Sequence, residues 1–461
     1  MSFPRYEKYK DSGVEWLGEV PKGWGVMPLK HLVSTPVTDG PHETPNFIDD
    51  GVLFISAEAV SSGKIDFTKA KYVSRKEHNR FSKKYRPQKY DIYMVKSGAT
   101  TGVTAILETD DEFNIWSPLA VIRCGKNHHP YFVLFSMRSR SFQESVVLHW
   151  SFGTQQNIGM SVIENLPIAN PPIEEQTQIA RFLDYETARI DALIGEQQRL
   201  IDLLKEKQQA VISHAVTKGL DPTVPMKDSG VEWLGEVPEH WPIHLLKRAF
   251  KSVDYGISNS LDSEGNIAIL RMGNIGNGKV IKDDLKYTHS VEPELFLVSG
   301  DLLYNRTNSL DQIGKVGIFY DDGLIYSFAS YLVRLRVKNG STSEYFAYLL
   351  NTDFILSIAR SSAFVAIGQC NLNPSRYGYI KVAVPPRNEQ VRIVKHLDKH
   401  TAVINELMDQ ANEGIYFLQE RRSALISAAV TGKIDVRGWQ PPACSSSNAQ
   451  PGPLLEAAHG R

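Results

Sequence analysis

The stretch KDSGVEWLGEVP, Lys10 to Pro21, returns letter for letter as Lys227 to Pro238, and each copy is followed within three residues by a tryptophan, Trp24 and Trp241. A second segment also occurs twice. Pro171, Pro172, Glu175, Gln176, Ile179, Leu183, Asp184, Ile190 and Leu193 align without a gap, 214 positions on, with Pro385, Pro386, Glu389, Gln390, Ile393, Leu397, Asp398, Ile404 and Leu407. Between these segments the halves diverge almost completely. Constant framing around variable interiors predicts one scaffold built twice, with the interiors carrying specificity.

A chain of 461 residues exceeds what one core usually supports, so two globular units with connecting structure are expected. Hydrophobic content of 42% and charged content of 22% are those of an ordinary globular protein. The net charge of -1 decides nothing, because binding of nucleic acid depends on local patches. One patch stands out: Lys64, Lys69, Lys71, Arg75, Lys76, Arg80, Lys83, Lys84, Arg86, Lys89 and Lys96 face only Asp66, Glu77 and Asp91. A solvated loop and helix face is the alternative reading of that run. Cys124, Cys370 and Cys444 are too scattered for a disulfide framework or a zinc site, which fits a reducing, cytoplasmic setting. The start, MSFPRYEKYKDSG, lacks a signal-peptide core, and no apolar run reaches membrane-spanning length, so no membrane partner is expected.

Short β-type runs broken by Gly, Pro and Asp fill the first interior (GVLFISAEAV, YDIYMVKSG, TGVTAIL, SPLAVIRCG) and the second (NIAILRMGNIG, GDLLYNRTN, GKVGIFY, YLVRLRVKN). Each set precedes an amphipathic helical stretch, Tyr131 to Gln143 and Tyr345 to Ile358, so each half reads as a mixed α/β unit. A long helix follows each unit. The proline pairs and acidic Glu174 and Glu175 suit a helix start, and Gly219 and Gly432 a helix end. Heptad steps run through Leu183, Ile190, Gln197, Leu204 and Val211, and through Leu397, Ile404, Ala411, Leu418 and Leu425, the seam of a coiled coil. Leu193, Leu200, Leu407, Ile194, Ile201, Met408 and Ile415 widen the seam and imply a further packing partner.

The fold expected is therefore α+β: two mixed α/β domains separated by two long helices. Because the second helix must start near where the first finishes, the helices form an antiparallel coiled coil with internal pseudo-twofold symmetry and a unit at each end. The expected boundaries are 1–165 for the first domain, 166–218 for the first helix, 219–379 for the second domain and 380–434 for the second helix. Residues 435–461, rich in Pro, Ser, Ala and Gly, read as a disordered tail.

Thr154 to Ile158 (TQQNI) followed by NLPIANPPIEEQTQIARFLD, with its partner Gly368 to Leu372 (GQCNL) followed by VAVPPRNEQVRIVKHLD, resembles the conserved regions of type I restriction-modification specificity subunits. KDSGVEWLGEVPKGW resembles the start of that family's variable domains, and the resemblance covers nearly the whole chain. It implies a non-catalytic subunit reading a bipartite, asymmetric DNA site, one half per domain, with the helices setting the unread spacer. It further implies two modification subunits that supply S-adenosylmethionine-dependent adenine methylation, and restriction subunits that bring ATP-driven translocation and cleavage. S-adenosylmethionine, ATP and Mg would belong to those partners and no cofactor to this chain. A stand-alone or fused methyltransferase or nuclease, and a coiled-coil scaffold for proteins only, are the rival readings.

Asn170-Pro171-Pro172 resembles an amino-methyltransferase core, but the repeat carries Val384 in place of the Asn and no glycine-rich cofactor loop lies upstream, so a helix start is the better reading. GNIGNG, Gly273 to Gly278, lacks the Lys-Ser/Thr ending of a phosphate loop and reads as a turn. His128-His129 has no metal-ligand spacing and reads as a surface pair. The strongest DNA-binding candidates are Lys96, Ser97, Thr100 and Thr101 in one half and Asn305, Arg306, Thr307 and Asn308 in the other. Their side chains suit guanine and adenine edges and phosphate oxygens. Arg75, Lys76, Arg80, Lys83, Lys84 and Arg86 are candidate phosphate contacts. Thr154, Gln155, Gln156, Asn157, Gln369 and Asn371, polar residues kept in both copies just before the helices, read mainly as loop-ordering residues.

Overall fold

The computed structural model describes residues 3–152, 156–276, 278–366 and 369–442. Two unbroken helices, Ile173–Lys218 and Arg387–Val430, are each long enough to span roughly 65 Å at 1.5 Å per residue. The chain divides into two compact units, 1–197 with 413–461, and 198–412. Each unit therefore holds the beginning of one long helix and the end of the other.

Inside the first unit, Ile179, Phe182 and Leu183 of the first helix share a core with Ile426, Ala429 and Val430 of the second, together with Trp24 and Phe132. Arg422 donates to Asp191 at 2.8 Å, and the Gln178 amide to the Val436 carbonyl at 3.0 Å, so the two segments run antiparallel. The second unit repeats the arrangement with Ile212 and Val216 against Ile393, Leu397, Trp241 and Phe346. There Gln208 donates to Asn405 at 2.9 Å. Burial of these residues against a head, rather than helix propensity, holds these ends in place.

The letter-for-letter repeat has a mechanical role. Tyr9–Asp11 pairs antiparallel with Glu19–Pro21, and Met226–Asp228 with Glu236–Pro238. Each hairpin delivers a buried tryptophan whose indole N–H donates to a carboxylate in the first turn of a long helix, Trp24 to Glu175 at 3.0 Å and Trp241 to Glu389 at 2.9 Å. The adjoining glutamines are equally matched. Gln176 donates to the Pro171 carbonyl and accepts from the His129 N–H; Gln390 donates to Pro385 and accepts from Thr342. At the far ends Gly219 and Gly432 adopt φ of +76° and +71°. A Cβ on Gly432 would lie 2.3 Å from Pro21 Cδ, and one on Gly219 3.3 Å from the Trp241 ring. A glycine is required at both, by conformation and by space.

The divergent interiors share a core strand order within sheets of different size. In the first unit Ile92–Val95 lies between Leu119–Ile122 and Thr104–Ile106, all antiparallel. In the second Leu302–Asn305 lies in the same way between Leu332–Val337 and Val316–Ile318. A second sheet in each contains one parallel pair, Val52–Ile55 with Phe113–Ile115 and Ile267–Leu270 with Tyr326–Phe328. The eight β-type runs noted above all contain strands.

Three local readings need correction. The single amphipathic stretch in each half is two helices, Pro130–Arg138 with Arg140–His149, and Ser343–Leu350 with Asp353–Ser361. The breaks fall at Ser139 and Thr352, buried residues in extended conformation; Ser139 Oγ caps the following helix by accepting from Phe142 N. The expected disordered tail is folded at its start, because Trp439 packs edge-on against Phe182 at 5.3 Å and its carbonyl accepts from Gln178. Positions beyond 442, with Cys444, lie outside the described residues. His128 and His129 are half-buried rather than a surface pair, since the His129 backbone is bonded to Gln176 and its ring lies near Tyr131.

Candidate nucleic-acid interface

In both units the central strand is anchored by a buried aspartate and leads into a candidate loop. Asp91 receives two bonds from Arg123 at 2.7 Å, and Asp301 is held by Arg336 at 2.8 and 3.2 Å. These forked pairs lie largely out of water, where charge-assisted bonds are strongest, and they raise both guanidinium pKa values above the ordinary arginine range. Asp91 also accepts from Tyr85 at 2.6 Å. The sequence signal was present in D-x-x-x-[VN] followed by I-R or L-R one strand on, but nothing in spacing alone pairs the residues.

Beyond each strand the chain is wired identically to the segment just before the long helix. Ile158 N donates to the Lys96 carbonyl at 2.9 Å, and Leu372 N to the Arg306 carbonyl at 2.8 Å. Ser97 bridges to Asn157, and Thr307–Asn308 pairs with Gln369–Asn371. Lys96 and Arg306 thus occupy one position, as do Ser97 and Thr307. Hairpins complete the sites: Ser151–Phe152 with Gln156–Asn157, and Phe364–Ala366 with Gln369–Asn371. Asn157 and Asn371 order their loops through these pairings. Thr154, Gln155 and Gly368 lie outside the described residues.

The side chains at these matched positions differ in what they do. Lys96 turns inward to Asp39 Oδ2 at 3.2 Å, and Lys84 reaches the other oxygen of that same buried carboxylate. Burial pushes the Asp39 carboxyl up, but the bonds and charges of Lys84 and Lys96 outweigh it and hold the group below the usual carboxylate range. Thr101 Oγ1 donates to the Gly98 carbonyl at 2.7 Å, and the Thr100 carbonyl accepts from Val103 N. Asn305 is fully buried with no hydrogen-bond partner for either amide atom. Arg306 lies 5.1 Å over the Tyr255 ring with its Nε unpaired. Thr307 Oγ1 accepts from Asn371 at 3.1 Å, and Asn308 Oδ1 accepts from Ser309 N at 2.8 Å.

The basic run divides in two. Arg75 pairs with Glu112 at 2.7 Å, Arg80 with Glu43 at 2.9 Å, and Lys84 with Asp39, so three of the six candidate phosphate contacts are compensated. Lys76, Lys83 and Arg86 are exposed and form no ion pair within 4 Å among the described residues. They lie on and just after the helix Arg75–Phe81, close in sequence to the exposed edge strand Phe47–Ile48 through its partner Lys71–Val73. Neither the Asn170 motif nor the glycine turn forms a catalytic feature. Asn170 Oδ1 accepts from Gln176, and Ile275–Gly276 and Lys279–Val280 form a hairpin. Among the described residues no cluster of His, Cys, Asp or Glu could hold a metal, and no helix is long and apolar enough to cross a membrane.

The scaffold is doubled, and its matched loops carry different side chains. The family model for the type I restriction modification DNA specificity domain matches residues 47–201 and 251–416, one match per half, and the chain belongs to this family. Membership places it with the DNA-recognition component of such systems and not with the catalytic subunits. DNA and the other subunits of a type I system are its partners. The chain is 24% identical over 439 residues to the type I restriction enzyme EcoKI specificity subunit of Escherichia coli, covering 92% of this chain and 91% of that protein. It is 26% identical over 452 residues to the putative MjaX specificity subunit of Methanocaldococcus jannaschii, covering 95% and 99%. A solved structure from work on complex assembly and conformational transition of the type I R-M system matches with a TM-score of 0.61 at 16% identity, over 89% of this chain and 98% of that one.

Proposed function

We propose that this chain gives a type I restriction-modification complex its DNA sequence preference, each unit reading one half of a bipartite, asymmetric site. One observation carries the reading. The loops at Lys96-Ser97 and Arg306-Thr307 are bonded through the same backbone groups to the same pre-helix segment, while their side chains and neighbours differ. Such a design keeps a reading head in place and varies what it reads. Ser97, Thr100 and Thr101 act in one half-site and Arg306, Thr307 and Asn308 in the other, with Lys96, paired to buried Asp39, shaping the first loop from beneath and Asn305 the second.

Lys76, Lys83 and Arg86 contact phosphates without choosing sequence, and Arg75, Arg80 and Lys84 join them to the extent that their carboxylate partners release them. Two modification subunits dock on the long helices, where Leu193, Leu200, Leu203, Val403, Leu407, Tyr416 and Phe417 remain exposed. S-adenosylmethionine, ATP and Mg are held by the modification and restriction subunits, and the complex works in the cytoplasm. The unread spacer follows the length of the helices.

Methylation sequencing of the host genome with and without this gene tests the proposal. Loss of one bipartite motif on deletion is expected, and an unchanged methylome would contradict it.

A further inference from the structure

Resting on the reading that the second unit contacts DNA, we propose that Phe364 acts as an apolar wedge. It enters between base pairs of the half-site this unit reads, with Val365 beside it, and bends the duplex there. Phe364 is 71% and Val365 64% exposed. They are neighbours on the strand Phe364–Ala366, the outer edge of a three-stranded sheet whose other edge is the candidate reading segment Thr307–Asn308. Successive residues of a strand point to opposite faces, so exposure of both means the edge stands clear of the core on each side.

The surroundings are polar. Thr307, Ser362, Gln369, Asn371, Asn373 and Arg376 line a cleft of about 490 Å³ that Phe364 borders. Amides and hydroxyls suited to base edges, and a guanidinium suited to phosphate, thus flank the exposed Phe364 ring. That is the composition of an unstacking wedge, which needs one apolar tip among backbone-binding groups. A lasting protein contact needs on the order of 1,000 Å² of complementary surface, and one ring with one valine among amides does not supply it.

Phe364 faces Asn371 across its hairpin, and the residue that faces the matching Asn157 in the first unit is Ser151. By the 214-residue offset the first unit has Trp150 at this place, but Trp150 packs against that unit's core, so an exposed ring here belongs to the part that differs between the readers. The cost of unstacking depends on the base step being opened, so a wedge adds sequence preference where no hydrogen bond is made, favouring flexible pyrimidine–purine steps.

The test uses the assembled complex and duplexes carrying a fluorescent base analogue at successive positions of the second half-site, other than the methylated base. With the natural chain, fluorescence rises at one step. Phe364→Ala abolishes that rise and weakens cognate binding roughly 10- to 100-fold, with little change on non-cognate DNA, while Phe364→Trp keeps both properties. Because the ring is exposed, the alanine variant retains the fold, which co-purification with the other subunits and an unchanged melting profile verify. Unaltered fluorescence and affinity in Phe364→Ala, alongside a natural complex that still prefers its site, overturn the wedge and leave the specificity reading standing. Loss of another subunit from the Phe364→Ala complex overturns it in favour of a protein contact. A natural complex without sequence preference removes the proposal together with the reading beneath it.

Discussion

Single residues divide into those that hold the scaffold and those free to meet DNA, and their charge partners separate them. Lys76, Lys83 and Arg86 are exposed cations with no ion pair within 4 Å among the described residues, so replacing all three with alanine should weaken binding to every sequence alike. The salt dependence should fall by about 0.9 in slope for each phosphate no longer neutralised, read from titrations at several salt concentrations. Lys84 and Lys96 are different, because both neutralise buried Asp39. Asp39→Asn should destabilise the first unit at neutral pH, measured by denaturant unfolding. The sign follows from linkage: a carboxyl whose folded pKa is depressed adds stability above its unfolded value, near about 3.9, and that contribution is lost as pH falls through the folded value. The natural chain should therefore lose stability on acidification in a way that the Asp39→Asn variant does not. The basic excess of this region was legible in the sequence. Its division was not, since Asp39 lies 45 positions from Lys84 and spacing carries no sign of their meeting.

Elements were more legible than contacts. Heptad periodicity located both long helices, because burial along one stripe repeats every few residues whatever lies opposite. The repeated Trp and Glu were visible as repeats, yet their bond was hidden, since only the fold brings hairpin and helix start together. The Ser139 and Thr352 breaks were missed because the apolar pattern continues across them. Glycine substitutions test the helix ends against the helix middles. Gly414→Ala, at a position with open space and ordinary backbone, should stabilise by about 0.5–1 kcal/mol. Gly432→Ala should cost more than about 1 kcal/mol, since the added carbon would enter Pro21 at a positive φ. Thermal unfolding of the two variants should shift in opposite directions.

For the molecule as a whole, the duplication was the most legible feature, and it explains why divergent interiors keep a common core of strands within sheets of different size. What the interiors recognise was not legible, because an exposed side chain such as Phe364 is marked by no repeat or motif. Matched seven-residue insertions beside Gly195 and Gly414 would lengthen the helices by about 10 Å. The unread spacer should then grow by about three base pairs at roughly 3.4 Å each, scored from the methylated motif. The claim that each unit reads its own half-site independently is tested most directly by exchanging residues 25–165 for those of a relative with a different site and sequencing the methylated genome. One half of the bipartite motif should change while the other half and the spacer stay as they were. A motif altered in both halves, or in neither, would contradict the account.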